Sequence, residues 1–395
     1  MSALGEATGG ATGPPATSEP EIDRAVARLN DSAEAFAGTP AASKAKLLRD
    51  VRSRLYELAP RLADAGCTAK GINLEDEVYG EELLAGPVTT LHYVRVLEQS
   101  LLDIAEHGLP VIPSECFREH GAGSSVQVLP IGSLDRMRFA SITAEAWLDA
   151  PPARASSARA GWYRDARKRA STGLVLGAGN IPAIPAMDAL HELFVAGRCC
   201  LLKMSPVNEY LGPLLELALA PLIARGYLAI VYGGPQVGAY CCAHPGIAAV
   251  HITGSSETHD LIVWGDEPER SQRKARAEPL LKKTITSELG NVTPVIVPPG
   301  EYGDRELEHL ARSIAGMMVH NASFNCISAK MLILPQAAAF REQLLSRLGR
   351  ELEQVPTRRA YYPGAGQRYS SFVRGRNVRE IGSAEGERLP WALVT

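Results

Sequence analysis

Apolar residues recur at threes and fours through the first quarter of the chain. Leu47, Val51, Leu55, Leu58 and Leu62 mark one face of a helix with Arg and Lys between them, and helical periodicity runs to about residue 106. Ahead of it, residues 1–20 are dominated by Gly, Ala, Thr, Pro and Ser, which bury too little surface to offset the entropy of ordering; a disordered tail is expected. Over 107–150 the rhythm changes, with Gly, Pro and Ser breaks around SSVQVLP and MRFASI; these read as strands of a β-hairpin arm near 122–150. From 171 onward short β-rich runs alternate with helical segments. GLVLG, CCLLK, LAIVY and AAVHIT are strand candidates, with helices expected near 186–197, 210–225 and 236–243. TITSEL, PVIVP and KMLILP follow, with helices near 305–321 and 336–353, whereas the final LPWALVT carries no cap or turn signal. This alternation predicts an α/β fold built on a parallel, doubly wound sheet.

Composition narrows the function. Hydrophobic residues make up 46% of the 395 and charged residues 22%, enough for a sizeable core and unlike a disordered chain, a coiled coil or a collagen. Lys and Arg number 41 against 44 Asp and Glu, so no basic excess exists to hold nucleic acid. Glu216 and Arg225 interrupt the longest apolar stretch, and the first residues lack both the basic and the apolar region of a signal peptide, so no membrane partner is expected. Seven cysteines without a CxxC read as reduced cytoplasmic thiols, and no metal-ligand spacing accompanies them.

Several residues could carry chemistry. GLVLGAGNIP ends a strand at Asn180, whose amide could donate to an oxyanion or simply cap the next helix; a third glycine of a dinucleotide fingerprint is replaced by Pro182. GGPQVG, with Gly234 and Gly238, and ITGSSE, with Gly254 and Ser255, place small residues at strand-to-helix turns, which suits close approach of phosphate or ribose but is also ordinary turn chemistry. Cys326 stands in SFNCISAK ahead of a strand, while Cys199, Cys200, Cys241 and Cys242 lie inside apolar runs, as small buried hydrophobes do. Glu288, in TSELGN, ends a β-rich run.

Taken in order, Asn180, a strand ending in Lys203, GGPQVG with HP, ITGSSE, ELGN and Cys326 resemble the motifs of the aldehyde dehydrogenase superfamily, strongly over about 165–335 and more loosely over 21–164. The resemblance implies a Rossmann-like cofactor domain over 21–288 and a second, catalytic α/β domain from 289 to 395. It implies Cys326 as nucleophile, Glu288 as general base, and Asn180 with the Cys326 backbone N–H as oxyanion hole. Lys203, Gly254, Ser255, Gly234 and Gly238 would contact the cofactor, NAD or NADP, and the substrate would be a small-molecule aldehyde.

Departures accompany the resemblance. His259 stands where the family often has Gly, and Pro206 replaces a ribose-binding Glu, so NADP should be tolerated. SFNCISAK lacks the family's flanking G-Q and A-G, and no E-x-F-G-P segment or C-terminal oligomerisation strand follows, so a truncated chain is expected. A homo-oligomer is expected only if the full-length chain carries that strand. Two rival readings stand beside aldehyde oxidation: a coenzyme A-acylating aldehyde dehydrogenase or acyl-CoA reductase, and an inactive scaffold of the same fold.

Overall fold

The computed structural model describes residues 13–121, 123–149, 159–165, 169–336 and 339–394. Its N-terminal helices are α1 (Glu19–Gly38), α2 (Ala41–Lys70), α3 (Tyr79–Leu83) and α4 (Thr89–His107). Ser18 caps α1, with the Glu21 carboxylate accepting its backbone N–H at 2.8 Å. Gly71 ends α2 in the left-handed region at φ +66, leaving Lys70 as the last helical residue.

The expected tail is corrected at its end. Residues 1–12 lie outside the described residues, but Thr17 is ordered: its N–H donates to Tyr232 O at 3.1 Å, and its hydroxyl accepts from Tyr232 N at 2.9 Å. The arm is a three-stranded antiparallel sheet of β1 (Phe117–His120), β2 (Gly123–Leu129) and β3 (Ala144–Leu148). MRFASI is not one of its strands. Helix α5 (Ser133–Arg138) takes its first residues, because no sheet face is there to bury them and Asp135 accepts from Ile131 N and from Arg95.

After the one-turn α6 (Gly161–Arg164), the central sheet begins with β4 (Thr172–Leu176), α7 (Ile184–Phe194) and β5 (Cys199–Lys203). The expected helix over 210–225 is broken into a 3-10 turn, α8 (Gly212–Ala218) and α9 (Ala220–Ile223), where Pro213 and Pro221 supply no N–H to a continuous ladder. Then follow β6 (Leu228–Val231), α10 (Pro235–Ala243), β7 (Ala249–Gly254), α11 (Ser256–Trp264), α12 (Glu269–Arg276) and β8 (Thr284–Leu289). All five strands are parallel in the order β6-β5-β4-β7-β8. Every residue of β5 is buried, as a central parallel strand covered on both faces requires.

A second hydrophobic cluster begins at Val297. It joins β9 (Pro294–Ile296), α13 (Asp304–Val319), β10 (Met331–Ile333), α14 (Arg341–Glu353), β11 (Val378–Ile381) and β12 (Trp391–Val394), with α15 (Ala365–Val373) between α14 and β11 in the chain. Strands β9 and β10 run parallel. The unmarked C-terminal run is a strand after all: it pairs antiparallel with β11, and the Trp391 indole donates to Val355 O at 3.0 Å.

Leu201, on β5, is fully buried in the larger cluster. Leu201→Ala should destabilise the protein by about 2–5 kcal/mol, read as a lower denaturant midpoint by circular dichroism.

Candidate functional site

The sheet order reverses direction between β4 and β7, the place where a doubly wound sheet opens a crevice at the carboxyl ends of its strands. The singled-out residues of the sheet gather there. Asn180 follows β4, Lys203 ends β5, Gly234 follows β6, Gly254 ends β7, and Glu288 is the penultimate residue of β8. Lys203 is 6% exposed; its backbone O accepts from Gly177 N at 3.0 Å, while its ammonium makes no hydrogen bond among the described residues. Burial holds its ammonium below the usual lysine range, and Glu209 works in the opposite direction. Ser255 caps α11, its hydroxyl accepting from Thr258 N at 3.1 Å. Gly233 takes the strained conformation of its turn, φ +126, while its neighbour Gly234 opens on empty space. Gly238 lies inside α10 at ordinary contact distance from Leu176. His259 is in the first turn of α11, its imidazole 3.2 Å from Asp260.

Cys326 sits in a loop that the rest of the molecule grips. Asn180 Nδ2 donates to Phe324 O at 2.9 Å, which ties the β4 end to this loop. Asn321, Ala322 and Ser323 are consecutive left-handed residues at φ +53, +50 and +65. Each such conformation costs about 1–3 kcal/mol and persists only where surroundings enforce it. Asn321 is 3% exposed, and its amide donates to Asn180 O at 3.0 Å. Its Oδ1 accepts from Lys70 Nζ at 2.9 Å and from the Tyr361 hydroxyl at 3.2 Å, and its backbone N–H donates to Glu81 at 3.0 Å. Arg358 pairs with the same Glu81 carboxylate at 2.7 Å and also donates to Val319 O, and Lys330 donates to Ser323 O at 2.7 Å. The Cys326 thiol is half-buried and points to Asn325 Oδ1 at 3.6 Å. The other six cysteines are buried; desolvation pushes Cys67 up to about 11 and Cys199 to about 12.

Glu288 is not brought onto the Cys326 loop by any hydrogen bond. It is exposed on edge strand β8, in register with Thr253. The same region carries His251, whose Nδ1 is 2.8 Å from Thr286 Oγ1 and whose Nε2 is 3.5 Å from Asp188. The Asp188 hydrogen bond raises the His251 pKa above 6.5 against opposing desolvation, and Glu288 contributes in the same direction.

The profile of the aldehyde dehydrogenase family matches residues 167–387, more than half of the chain and all of the residues above from Asn180 to Tyr361. The chain belongs to the aldehyde dehydrogenase family. Solved structures share its fold at low identity. A mutant aldehyde dehydrogenase C from Pseudomonas syringae, complexed with NAD+ and octanal, is 16% identical with a TM-score of 0.63, over 95% of this chain and 66% of that one. An NADP-dependent glyceraldehyde-3-phosphate dehydrogenase from Bacillus halodurans, complexed with NADP, is 13% identical with a TM-score of 0.63, over 96% and 69%. A lactaldehyde dehydrogenase is 15% identical with a TM-score of 0.65, over 96% and 70%. This aldehyde dehydrogenase family member thus spans about two thirds of the length of the relatives it matches. Among its described residues no helix is long and apolar enough to cross a membrane, and no group of three or more His, Cys, Asp or Glu could hold a metal.

Sequence reasoning missed Lys70, Glu81, Asn321, Tyr361 and Glu209. Asn321, in the polar run ahead of Cys326, and Glu209, three positions after Pro206, stood beside recognised motifs. The Glu209 carboxylate accepts from Gly233 N at 2.7 Å, so Pro206 does not leave the β5 end without an acidic group.

Because folding raises the His251 pKa above 6.5, its contribution to stability is full below that value and is lost as pH rises through the folded-state value. Thermal melts between about pH 5.5 and 8.5 should therefore show a steeper loss of stability with rising pH in the parent than in His251→Gln.

Proposed function

We propose that this protein oxidises an aldehyde to the carboxylic acid with NAD or NADP, with Cys326 as nucleophile. The hydrogen bond from Asn180 into the loop of the half-buried thiol carries this reading, because it couples the end of the central strand to the reacting sulfur. The cofactor fits the strand ends. Lys203 offers a buried ammonium without a hydrogen-bonded partner, and Gly234, Gly254 and Ser255 present small residues at helix starts, with Gly238 one turn into α10. When bound, the nicotinamide supplies the hydride acceptor that aldehyde oxidation requires.

The chain's own groups account for the remainder. The Cys326 thiolate attacks the carbonyl carbon and forms a thiohemiacetal. Asn180 has two amide N–H donors and spends one on Phe324 O, which leaves the other, with the Cys326 backbone N–H, for the developing oxyanion. After oxidation a thioester remains on Cys326. Glu288, exposed on β8, takes a proton from the water that cleaves it. In this reading residues 21–288 form the cofactor domain and 289–395 the catalytic one. The cysteine pattern accords with a cytoplasmic setting, and exposed Met137, Ile142 and Trp147 on the arm support a homo-oligomer.

One observation favours coenzyme A as acyl acceptor instead. Glu288 makes no hydrogen bond to the Cys326 loop, and its exposed strand leaves room for a thiol as well as for water. Turnover measured with and without coenzyme A separates the two. An inactive scaffold is excluded if turnover is seen in either arm.

Cys326→Ser should abolish oxidation, because a hydroxyl is far harder to ionise than a thiol. Glu288→Gln should give a burst of reduced cofactor followed by little turnover; full steady-state turnover would remove Glu288 from the mechanism. Glu209 lies close enough to Lys203 to act on its charge, so its carboxylate should disfavour a ribose 2′-phosphate. Glu209→Gln should therefore shift the NAD/NADP preference toward NADP by about tenfold, measured as the ratio of kcat/KM values.

A further inference from the structure

The left-handed run before Cys326 needs an external restraint, and the structure supplies one from a distant element. Lys70, at the end of α2, is 6% exposed and pairs with Glu82, 2% exposed, at 2.6 Å. The same ammonium donates to Asn321 Oδ1 at 2.9 Å. Glu82 Oε2 is buried without a hydrogen-bond partner among the described residues. A buried ion pair with an unsatisfied oxygen is a poor device for stability alone, because desolvating the charges offsets their attraction. Its geometry suits another purpose. The ammonium fixes the orientation of the Asn321 amide, whose N–H groups then face Asn180 O, and the Tyr361 hydroxyl holds the same two oxygens, Asn180 O and Asn321 Oδ1.

We propose that Lys70, held by Glu82, is a positioning residue for the nucleophile: through Asn321 it keeps residues 321–323 left-handed and sets Cys326 against the β4 end. The inference rests on the role proposed for Cys326, but its first readout does not. Lys70 touches no reacting atom and acts only through the loop. Glu81 reinforces it from α3 by accepting the Asn321 backbone N–H.

Two variants of the full chain test the idea. Lys70→Met/Glu82→Met removes both buried charges together, so no unpaired charge remains. Asn321→Gly keeps a residue suited to φ +53 but deletes the amide that Lys70 holds. Each is compared with the parent by thermal melt, by hydrogen exchange of peptides covering 320–326, and by steady-state kinetics. Exchange across 320–326 should accelerate more than about tenfold while the global melt is retained. The rate kcat should fall about 10–100-fold with KM for the cofactor unchanged, as misplacement of a reacting group requires. If the double variant does not fold, Asn321→Gly decides the matter. Parent-like exchange over 320–326 in a folded variant would overturn the proposal. Accelerated exchange in variants of a parent that oxidises no aldehyde would uphold the restraint and sink the functional reading instead.

Discussion

The amide of Asn321 is the joint on which the geometry around Cys326 depends. Its N–H group and its oxygen reach three separate parts of the chain: Lys70 at the end of α2, Asn180 after β4, and Tyr361 beyond α14. None of these partners lies in the second cluster's helices or strands, and the left-handed residues 321–323 have only a single 3-10 turn of their own, in which Phe324 N donates to Asn321 O at 2.9 Å. The loop is therefore shaped by what surrounds it rather than by its own propensities. In the proposed reading, that arrangement holds the nucleophile in place without setting it inside regular structure.

Much of the central sheet was legible in the chain itself. Short β-rich runs punctuated by glycine located β4 to β7, because a parallel strand buried on both faces has little freedom in composition, and TITSEL located the exposed edge strand β8. The strand-end residues were legible for a related reason: a crevice at the strand ends needs small or polar groups at those turns and nowhere else. The grip on the Cys326 loop was not legible. Lys70 and Asn321 are 251 positions apart, and no periodicity marks a lysine whose charge is buried by a pairing that exists only after folding. Tyr361 lies in a segment without recognisable pattern. Met137 and Arg138 misled in the opposite sense, since a run of mixed character folds as a strand only when a neighbouring strand offers a face to bury it, and here none does.

The cysteines separate by environment rather than by sequence. Cys241 and Cys242 neighbour each other in α10, yet burial pushes them to about 12 and about 11, so both remain neutral thiols at physiological pH. Cys326 is instead half-buried in a loop. In the proposed reading Cys326 is the reacting sulfur, and the fold withholds water from the other six.

The two edges of the central sheet are finished differently. At β6 the segment before α1 turns in and engages Tyr232 through Thr17, using both backbone polar groups of Tyr232 at the strand's end. At β8 the outer residues Thr284, Thr286, Ser287 and Glu288 face solvent. Exposed strand edges recruit further strands, and charge or coverage is what prevents it. One edge of the sheet is thus engaged just past its strand end, and the other is exposed, with a carboxylate standing on it. Any additional strand, whether from the same chain or from another copy, would have to pass Glu288 to join.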